Sequence, residues 1–546
     1  MSVQVSFLGG LGEIGRNCAT IEINGKLALV DCGLMFPEED MLGVDLVFPD
    51  WSWLLERSDD VECVILTHGH EDHVGALAYF LNDLNVPVFG TELSVELARG
   101  RIEELGVEPD LRATETNEWI SFGPFKFMLV PVSHSIPQGA GVAFDTPEGI
   151  IVHSGDFKLD PTPIDSTPTD LPTFAHLGRR GVRLLLSDST NAELSGFVPS
   201  ERSLAQPIER IVHTAPGRVI AACFASHVHR VQQIADAALD DGRTIAFLGR
   251  SMHRVTGVGS SLGILDVPPE RIVDVEELIN LPPDRQMLIT TGAQGEPFAA
   301  LSLMASGNSK FVELDENDTV LISATPIPGN ERAVSRVISK LHRSGARVYH
   351  GRNAHVHVSG HAAQEELKTF INVIRPDAYV PIHGEYRHLS ANADLAEEMK
   401  VPQVFVLEDG DRIVLDGKDI YAERRAVPAG YVYLDGSGVG DIKRAVLRRR
   451  RHLADEGVVV VTIGVDVEQC VVDYGPIMDS HGFMDDPDAV LEKAADAVRA
   501  AIAKMAEKGR KTDHGALQQT VRQAASTIIR SETSRRPVVL PLILET

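Results

Sequence analysis

Residues 68 to 73 read His-Gly-His-Glu-Asp-His, so four metal-binding side chains, His68, His70, Asp72 and His73, fall within six positions. Neutral imidazole offers a nitrogen lone pair suited to zinc or manganese, and a carboxylate adds charge and a harder oxygen ligand. A tight turn after a strand directs His68 and His70 to one ion and Asp72 and His73 to a neighbour. The apolar run just before, Cys63-Val-Ile-Leu66, supplies that strand. Three more residues of the same chemistry follow later apolar runs: His134 after 126–132, Asp156 after 149–154 and His383 after 378–381. Alone, each is an ordinary polar residue at a strand end. Together with the first four they make a dinuclear set. Two ions about 3.5–4 Å apart lower the pKa of a shared water to about 7, which is the chemistry of metal-assisted hydrolysis.

Other segments carry groups suited to a phosphate. His357-Val358-Ser359-Gly360-His361 offers backbone amides and a hydroxyl that can cradle an anion. Ser226-His227-Val228 opens a predicted helix, whose first amides favour negative charge. Asp188 ends the apolar run 183–188, where it either buttresses a histidine or caps a helical turn after the strand.

The elements that must hold these groups are strands at 26–31, 63–67, 126–132, 149–154 and 183–188. Layered α/β folds place their chemistry at such strand ends. From about residue 203 the pattern becomes a small doubly wound unit. Its strands are expected at 219–224, 244–248 and 287–291, and its helices at 208–213, 228–239 and 331–343. Helix 364–370, strand 378–381 and helix 388–399 then return to the first domain. The expected bounds are 1–204 and 351–426 for one interrupted domain, 205–350 for the insertion and 427–456 for a glycine-bearing linker. Residues 457–546 form an α+β C-terminal domain, with strands at 458–465 and 537–544 and helices at 489–505 and 515–530. The basic run of Lys443, Arg444 and 448–451 either guides a polyanion or is solvated.

Composition bounds the rest. With 546 residues, 43% hydrophobic and 24% charged, the chain supports about three folded domains. No leader or apolar run of about 18–20 residues is evident, so no membrane partner is expected. Five cysteines, Cys18, Cys32, Cys63, Cys223 and Cys470, show no CxxC spacing, which fits a reduced cytoplasmic setting. A formal charge of −27 excludes a generally adhesive nucleic-acid binder. It leaves room for a nuclease whose positive charge is confined to one cleft.

The pattern His-x-His-x-Asp-His with later His, Asp and His resembles the metallo-β-lactamase superfamily, a four-layer αββα sandwich. A narrower resemblance, to the ribonuclease J family of the β-CASP branch, covers nearly the whole chain. It rests on Leu8-Gly-Gly-Leu-Gly-Glu-Ile-Gly-Arg-Asn17, Asp31-Cys-Gly, His134-Ser-Ile-Pro137, Ser187-Asp-Ser-Thr190 and Thr291-Gly-Ala-Gln-Gly-Glu-Pro297. Pro326-Ile-Pro-Gly-Asn-Glu331, His357-Val-Ser-Gly-His361 and Pro381-Ile-His-Gly-Glu-Tyr-Arg-His388 extend it. The departures, Gln138-Gly139 and Cys18, touch no expected ligand.

The resemblance implies an α/β fold: a metallo-β-lactamase sandwich with an inserted β-CASP domain and a C-terminal α+β domain. It implies two Zn2+, replaceable by Mn2+ or Mg2+, one held by His68, His70 and His134, the other by Asp72, His73 and His383, with Asp156 between them. Asp72 then orients or deprotonates the attacking water, His361 protonates the leaving 3′ oxygen or stabilises its charge, and Asp188 buttresses the site. The segment 357–361, with Ser226, His227 and Val228 as a second pocket, would read a 5′-monophosphate on single-stranded RNA. The expected activity is 5′→3′ exonuclease with endonuclease action, in RNA maturation, rRNA processing and mRNA decay. A structural Ca2+ near Gly43, Asp45 and Asp435, and a homodimer or homotetramer, are further implications. The competing readings are a hydrolase of a small ester or amide, which needs no inserted domain, and an RNA-binding scaffold without turnover.

Overall fold

Short runs of β-branched and aliphatic residues build two sheets that meet face to face. The structure is a computed structural model of the chain. It describes residues 2–546 apart from 39, 297, 328–329, 437, 441, 467–468, 470 and 508–512. Cys470, Pro297, Pro328 and Gly329, named above among the thiols and motifs, lie outside the described residues.

The first sheet runs Asp419–Glu423, Arg412–Asp416, Val3–Gly9, Cys18–Ile23, Lys26–Val30, Val61–Ile65, Val88–Gly90 and Leu111–Ala113. The second runs Gln403–Val404, Ala378–Ile382, Val182–Asp188, Gly149–His153, Ala140–Thr146, Phe125–Pro131 and Ile120–Phe122. Period-two alternation turns Val5, Phe7, Ile21 and Ile65 inward from one sheet, and Phe127, Leu129, Phe144, Leu184 and Val380 inward from the other. Helices Leu171–Arg180 and Gln364–Ile374 cover the second sheet's outer face through Phe174, Leu177, Phe370 and Ile374. Helix Glu92–Glu104 packs against Val88–Gly90 and Leu111–Ala113. The result is the αββα layering expected from the resemblance.

Strand direction matters most for function. Gly149–His153, Val182–Asp188 and Ala378–Ile382 are parallel neighbours, as are Lys26–Val30 and Val61–Ile65. Their C-terminal ends therefore open on shared edges, and each is followed by a residue named above. Between Val182–Asp188 and Ala378–Ile382, adjacent in space, the chain builds a separate all-parallel sheet. Its order is Thr244–Leu248, Gln286–Thr290, Val219–Ala222, Thr319–Ile322 and Arg347–His350.

The described chain divides into two compact units, 1–36 with 46–432, and 37–45 with 433–546. In the second, strands Val471–His481, Val458–Asp466 and Val538–Glu545 form a sheet. Helices Asp488–Glu507 and His514–Thr533 bury Val498, Ile502, Val521 and Ile529 on Val459, Val461 and Ile463.

Several elements depart from the sequence reading. Residues 444–456, expected within a linker, form helix Arg444–Glu456, because arginine, leucine and alanine are strong helix formers even where they cover little core. The preceding glycine-bearing stretch holds strands Tyr431–Asp435 and Gly438–Val439 rather than open coil. Strand Val471–His481 went unread, since most of its side chains are exposed and its pattern is weak. Among the described residues, no helix is long and apolar enough to cross a membrane.

Phe127 meets Phe89 of the facing sheet and Phe144 of the neighbouring strand at ring-centroid distances of 5.3 and 6.3 Å. Phe127→Ala is expected to cost about 3–5 kcal/mol. Urea unfolding checks this: the midpoint falls while the slope stays unchanged.

Candidate metal centre

The turn after Val61–Ile65 delivers His68 and His70 to one point, where the loop after Phe125–Pro131 delivers His134. His68 Nε2 and His134 Nε2 lie 3.0 and 3.2 Å from His70 Nδ1. Which nitrogens are bare follows from their other bonds. The Thr67 hydroxyl donates to Asp31 Oδ2 at 2.8 Å, so it accepts from His68 Nδ1 at 3.0 Å. His134 Nδ1 donates to the Gly360 carbonyl at 2.8 Å. Both Nε2 atoms are then lone pairs aimed at His70. Burial lowers the pKa of His68 and His134 well below the imidazole range and brings His70 down to about 4. Neutral, buried nitrogens converging on one point fit a divalent cation.

A second cluster joins Asp72, His73, Asp156 and His383. His73 Nδ1 donates to Asp31 Oδ2 at 2.8 Å, which frees Nε2 to face Asp156 Oδ2 at 3.2 Å. His383 Nε2 faces the same oxygen at 3.3 Å, and its Nδ1 lies 2.9 Å from Asn17 Oδ1. His68 Nε2 and His134 Nε2 approach that oxygen at 3.7 and 3.9 Å. Asp72 Oδ2, more open than the rest, is 3.7 Å from His73 Nε2 and 3.9 Å from His383 Nε2. Asp31 and His383 both adopt left-handed backbone, φ +63° and +55°, conformations that side chains other than glycine rarely hold without a local reason.

His361 closes the far side. Its Nδ1 donates to Asp188 Oδ2 at 2.8 Å and lies 4.0 Å from Asp156 Oδ2. Burial alone would lower its pKa, but Asp188, with help from Asp156 and Asp72, raises it to about 9. Asp188 also accepts from the Thr190 amide at 3.0 Å, so the carboxylate both turns the chain and grips the histidine. Gly360 has no room for a side chain: an added Cβ would lie 2.9 Å from the His134 ring.

Four family models match the chain in order. They are "Metallo-beta-lactamase superfamily" over residues 11–190, "Ribonuclease J, beta-CASP domain" over 216–341, "Zn-dependent metallo-hydrolase RNA specificity domain" over 346–406 and "Ribonuclease J C-terminal domain" over 445–546. Ribonuclease J2 of Bacillus subtilis (strain 168) is 39% identical over 100% of this chain and 99% of its own length. The chain belongs to the ribonuclease J family. Ribonuclease J of Mycolicibacterium smegmatis is 40% identical and that of Thermus thermophilus 37%, each over 100% of this chain and 97% and 95% of their own. A crystal structure of a protein of unknown function from Enterococcus faecalis V583 shares the fold, with TM-score 0.54, 18% identity, and coverage of 76% of this chain and 100% of that one. As a ribonuclease J family member the chain is a metal-dependent ribonuclease acting on RNA. The readings as a small-ester hydrolase or an inert scaffold give way to it.

The other expected residues of this ribonuclease J chain lie in two segments around the centre. Ser359 Oγ accepts from Asn191 Nδ2 at 2.8 Å, and the same amide group donates to the His361 carbonyl at 2.8 Å. At the second segment, the amides of His227 and Val228 already donate to the carbonyls of Phe224 and Ser226. The His227 ring faces Glu201 at 3.2 Å, and burial brings its pKa to about 4. Arg230, fully buried, ties this helix start to the other segment. It donates to Glu201 Oε1 at 2.8 Å and to the Val356 carbonyl at 3.0 Å, and lies 3.4 Å from His357 Nδ1.

Near the expected calcium position the structure holds a fixed cation of its own. Arg450 donates to Asp435 at 2.6 Å and to the Leu42 carbonyl at 2.9 Å, and a Cβ on Gly43 would lie 2.7 Å from its guanidinium. Asp45 is engaged by the Gly436 amide at 2.7 Å.

Sequence reasoning assigned no role to Asp31, Thr67 or Asn17. Asp31 carried a visible signal, a lone acid at the end of an apolar strand. Asn17 carried one only as the last residue of the motif Leu8-Gly-Gly-Leu-Gly-Glu-Ile-Gly-Arg-Asn17, which assigns it no role.

Asp31→Asn keeps the shape but removes the charge behind His73. It is expected to weaken metal binding or activity about 10–100-fold. Competition against a chromophoric chelator measures this, and chelator treatment of the parent enzyme is expected to abolish RNA cleavage.

Proposed function

We propose that the chain degrades single-stranded RNA from the 5′ end, preferring a 5′-monophosphate, with internal cleavage as a second mode, in RNA maturation and decay. The cofactor would be two divalent cations, Zn2+ or in its place Mn2+ or Mg2+. The observation that carries the two-cation reading is the position of Asp156 Oδ2, 3.2–4.0 Å from nitrogens of His73, His383, His68, His134 and His361. One carboxylate shared by two donor sets is what a bridging ligand requires.

When bound, the cations would supply Lewis-acid activation of water and of the scissile phosphate. The protein's own groups do the rest. Asp72, the most open carboxylate of the set, accepts the proton of the attacking water. His361, kept protonated by Asp188, donates a proton to the departing 3′ oxygen. His68, His70 and His134 are held neutral by burial and so remain donors rather than competing cations.

Support for reading the 5′ end comes from the segment 357–361. It sits one hydrogen bond from a ligand, through His134 Nδ1 and the Gly360 carbonyl at 2.8 Å. A terminal phosphate seated there would be measured at fixed distance from the cut. Self-association into a dimer or tetramer is supported by the C-terminal sheet, where Tyr474, Ile477, Leu542 and Leu544 lie about half exposed on the face away from the helices. Cytoplasmic action is supported by Cys18, Cys32, Cys63 and Cys223, all free and buried.

The central test compares RNA carrying 5′-monophosphate, triphosphate or hydroxyl with zinc or manganese added. The monophosphate is expected to be degraded fastest, His70→Ala to be inactive and His361→Ala to lose about 10²–10⁴-fold in kcat. Equal rates for all three ends would remove the 5′-end reading. Leu542→Glu is expected to lower the solution mass by light scattering; an unchanged mass would place self-association elsewhere.

A further inference from the structure

We infer that Asn17 is a positioning residue whose amide fixes the tautomer and angle of His383 and, through it, the geometry of the second metal cluster. The amide's orientation is set by the groups its two ends face. The Asp72 carbonyl can only accept, and it lies 3.0 Å from the side-chain nitrogen of Asn17. The other end is therefore the oxygen, and it lies 2.9 Å from His383 Nδ1. An amide oxygen cannot donate, so His383 carries its proton on Nδ1. Nε2, 3.3 Å from Asp156 and 3.9 Å from Asp72, is then the nitrogen that the neutral ring would offer to a metal.

Asn17 is itself held on three sides. Its main-chain N–H donates to the Asp72 carbonyl at 3.0 Å, and its own carbonyl accepts from the Gly33 amide at 3.0 Å. Gly10 completes the seat. The main-chain N–H of His383 donates to the Gly10 carbonyl at 3.1 Å. A Cβ on Gly10, which sits at φ +92°, would fall 2.5 Å from Asn17 Oδ1. The loop carrying Asn17 thus touches both halves of the cluster: Asp72 through its carbonyl and His383 through its ring.

The two histidines of this cluster receive different support. His73 is backed at Nδ1 by the carboxylate of Asp31 and has its Nε2 3.1 Å from the side-chain nitrogen of Asn17, whereas His383 is backed at Nδ1 by the amide oxygen. An amide suits position 17 because one side must donate to Asp72 while the other accepts from His383, and no other side chain of that size offers both.

The inference rests on the proposed metal site, and its test separates the two. Asn17→Leu, Asn17→Asp and Gly10→Ala are made in the full-length chain. Zinc alone, then manganese alone, is titrated against a chromophoric chelator. The cobalt-substituted absorption spectrum is recorded, kcat and KM are measured on 5′-monophosphorylated RNA, and the metal-stripped proteins are unfolded in urea. Asn17→Leu, similar in size but unable to accept, is expected to weaken the more weakly held zinc about 10–100-fold and alter the cobalt spectrum. It should lower kcat with KM within about twofold, because Asn17 is not argued to touch RNA. Asn17→Asp keeps an oxygen toward His383 and should bind zinc more tightly than the leucine variant. Gly10→Ala displaces the amide without altering it and should resemble Asn17→Leu; it also decides the matter if the leucine variant does not fold. Parent-like zinc stoichiometry and affinity in Asn17→Leu, or equal losses in the leucine and aspartate variants, would overturn the inference. If the parent binds one zinc only, the two-cation reading falls, while the parent-against-leucine comparison at that one site still decides the role of Asn17.

Discussion

A single carboxylate oxygen, Asp156 Oδ2, sits 3.2–4.0 Å from five imidazole nitrogens in a nearly solvent-free position. Burying an anion costs several kcal/mol unless its surroundings answer it closely. Here burial pushes the Asp156 carboxyl up, while His383 and His73 hold it well below the usual carboxylate range. The rest of the catalytic body can be understood as the scaffold that places those imidazoles. They come from strand ends of both sheets, and only a sandwich whose strands open on a common edge brings them to one point.

The supports behind the ligands obey the same logic. Each histidine has two nitrogens, and one must be given a proton acceptor so that the other is free. The acceptors differ: the Thr67 hydroxyl for His68, the Asp31 carboxylate for His73 and a backbone carbonyl, that of Gly360, for His134. None needs to approach the reacting centre, yet each decides which lone pair reaches it. The inserted sheet is tied to this arrangement at Glu71, within the metal motif. Its carboxylate meets Arg101 at 2.9 Å and Arg254, from helix Arg250–Ser261, also at 2.9 Å.

How much of this was legible in the sequence depended on whether the chemistry was local. The run 68–73 announces itself because four ligand side chains crowd six positions, and His134, Asp156 and His383 each follow an apolar strand that marks them. The parallel sheet of the insertion was legible in part: strands at 219–224, 244–248 and 287–291 stood out, while Thr319–Ile322 and Arg347–His350 did not. What escaped were groups whose role is defined by a partner far along the chain. Asp31 was marked by its place at a strand end, but its partners Thr67 and His73 were not. Arg450 reads as part of a basic run, although its guanidinium is committed to Asp435 and the Leu42 carbonyl. Strand Val471–His481 lacked an inward stripe strong enough to stand out from solvent-facing residues.

The same distances along the chain bear on how the site forms. His361 meets Asp188 across 173 residues, His134 meets Gly360 across 226, and His383 meets Asn17 across 366. Closing a loop of that length costs entropy before any contact repays it, and the cost grows only slowly with length. An insertion that folds as its own parallel sheet shortens the effective loop, because Val182–Asp188 and Ala378–Ile382 then need only pair as neighbours. Until they do, His383 cannot reach Asn17, His134 lacks the Gly360 carbonyl and Asp188 lacks His361. Assembly of the metal centre is therefore coupled to completion of the second sheet, and a chain lacking the return segment would retain the His68–His73 motif without the second half of its site.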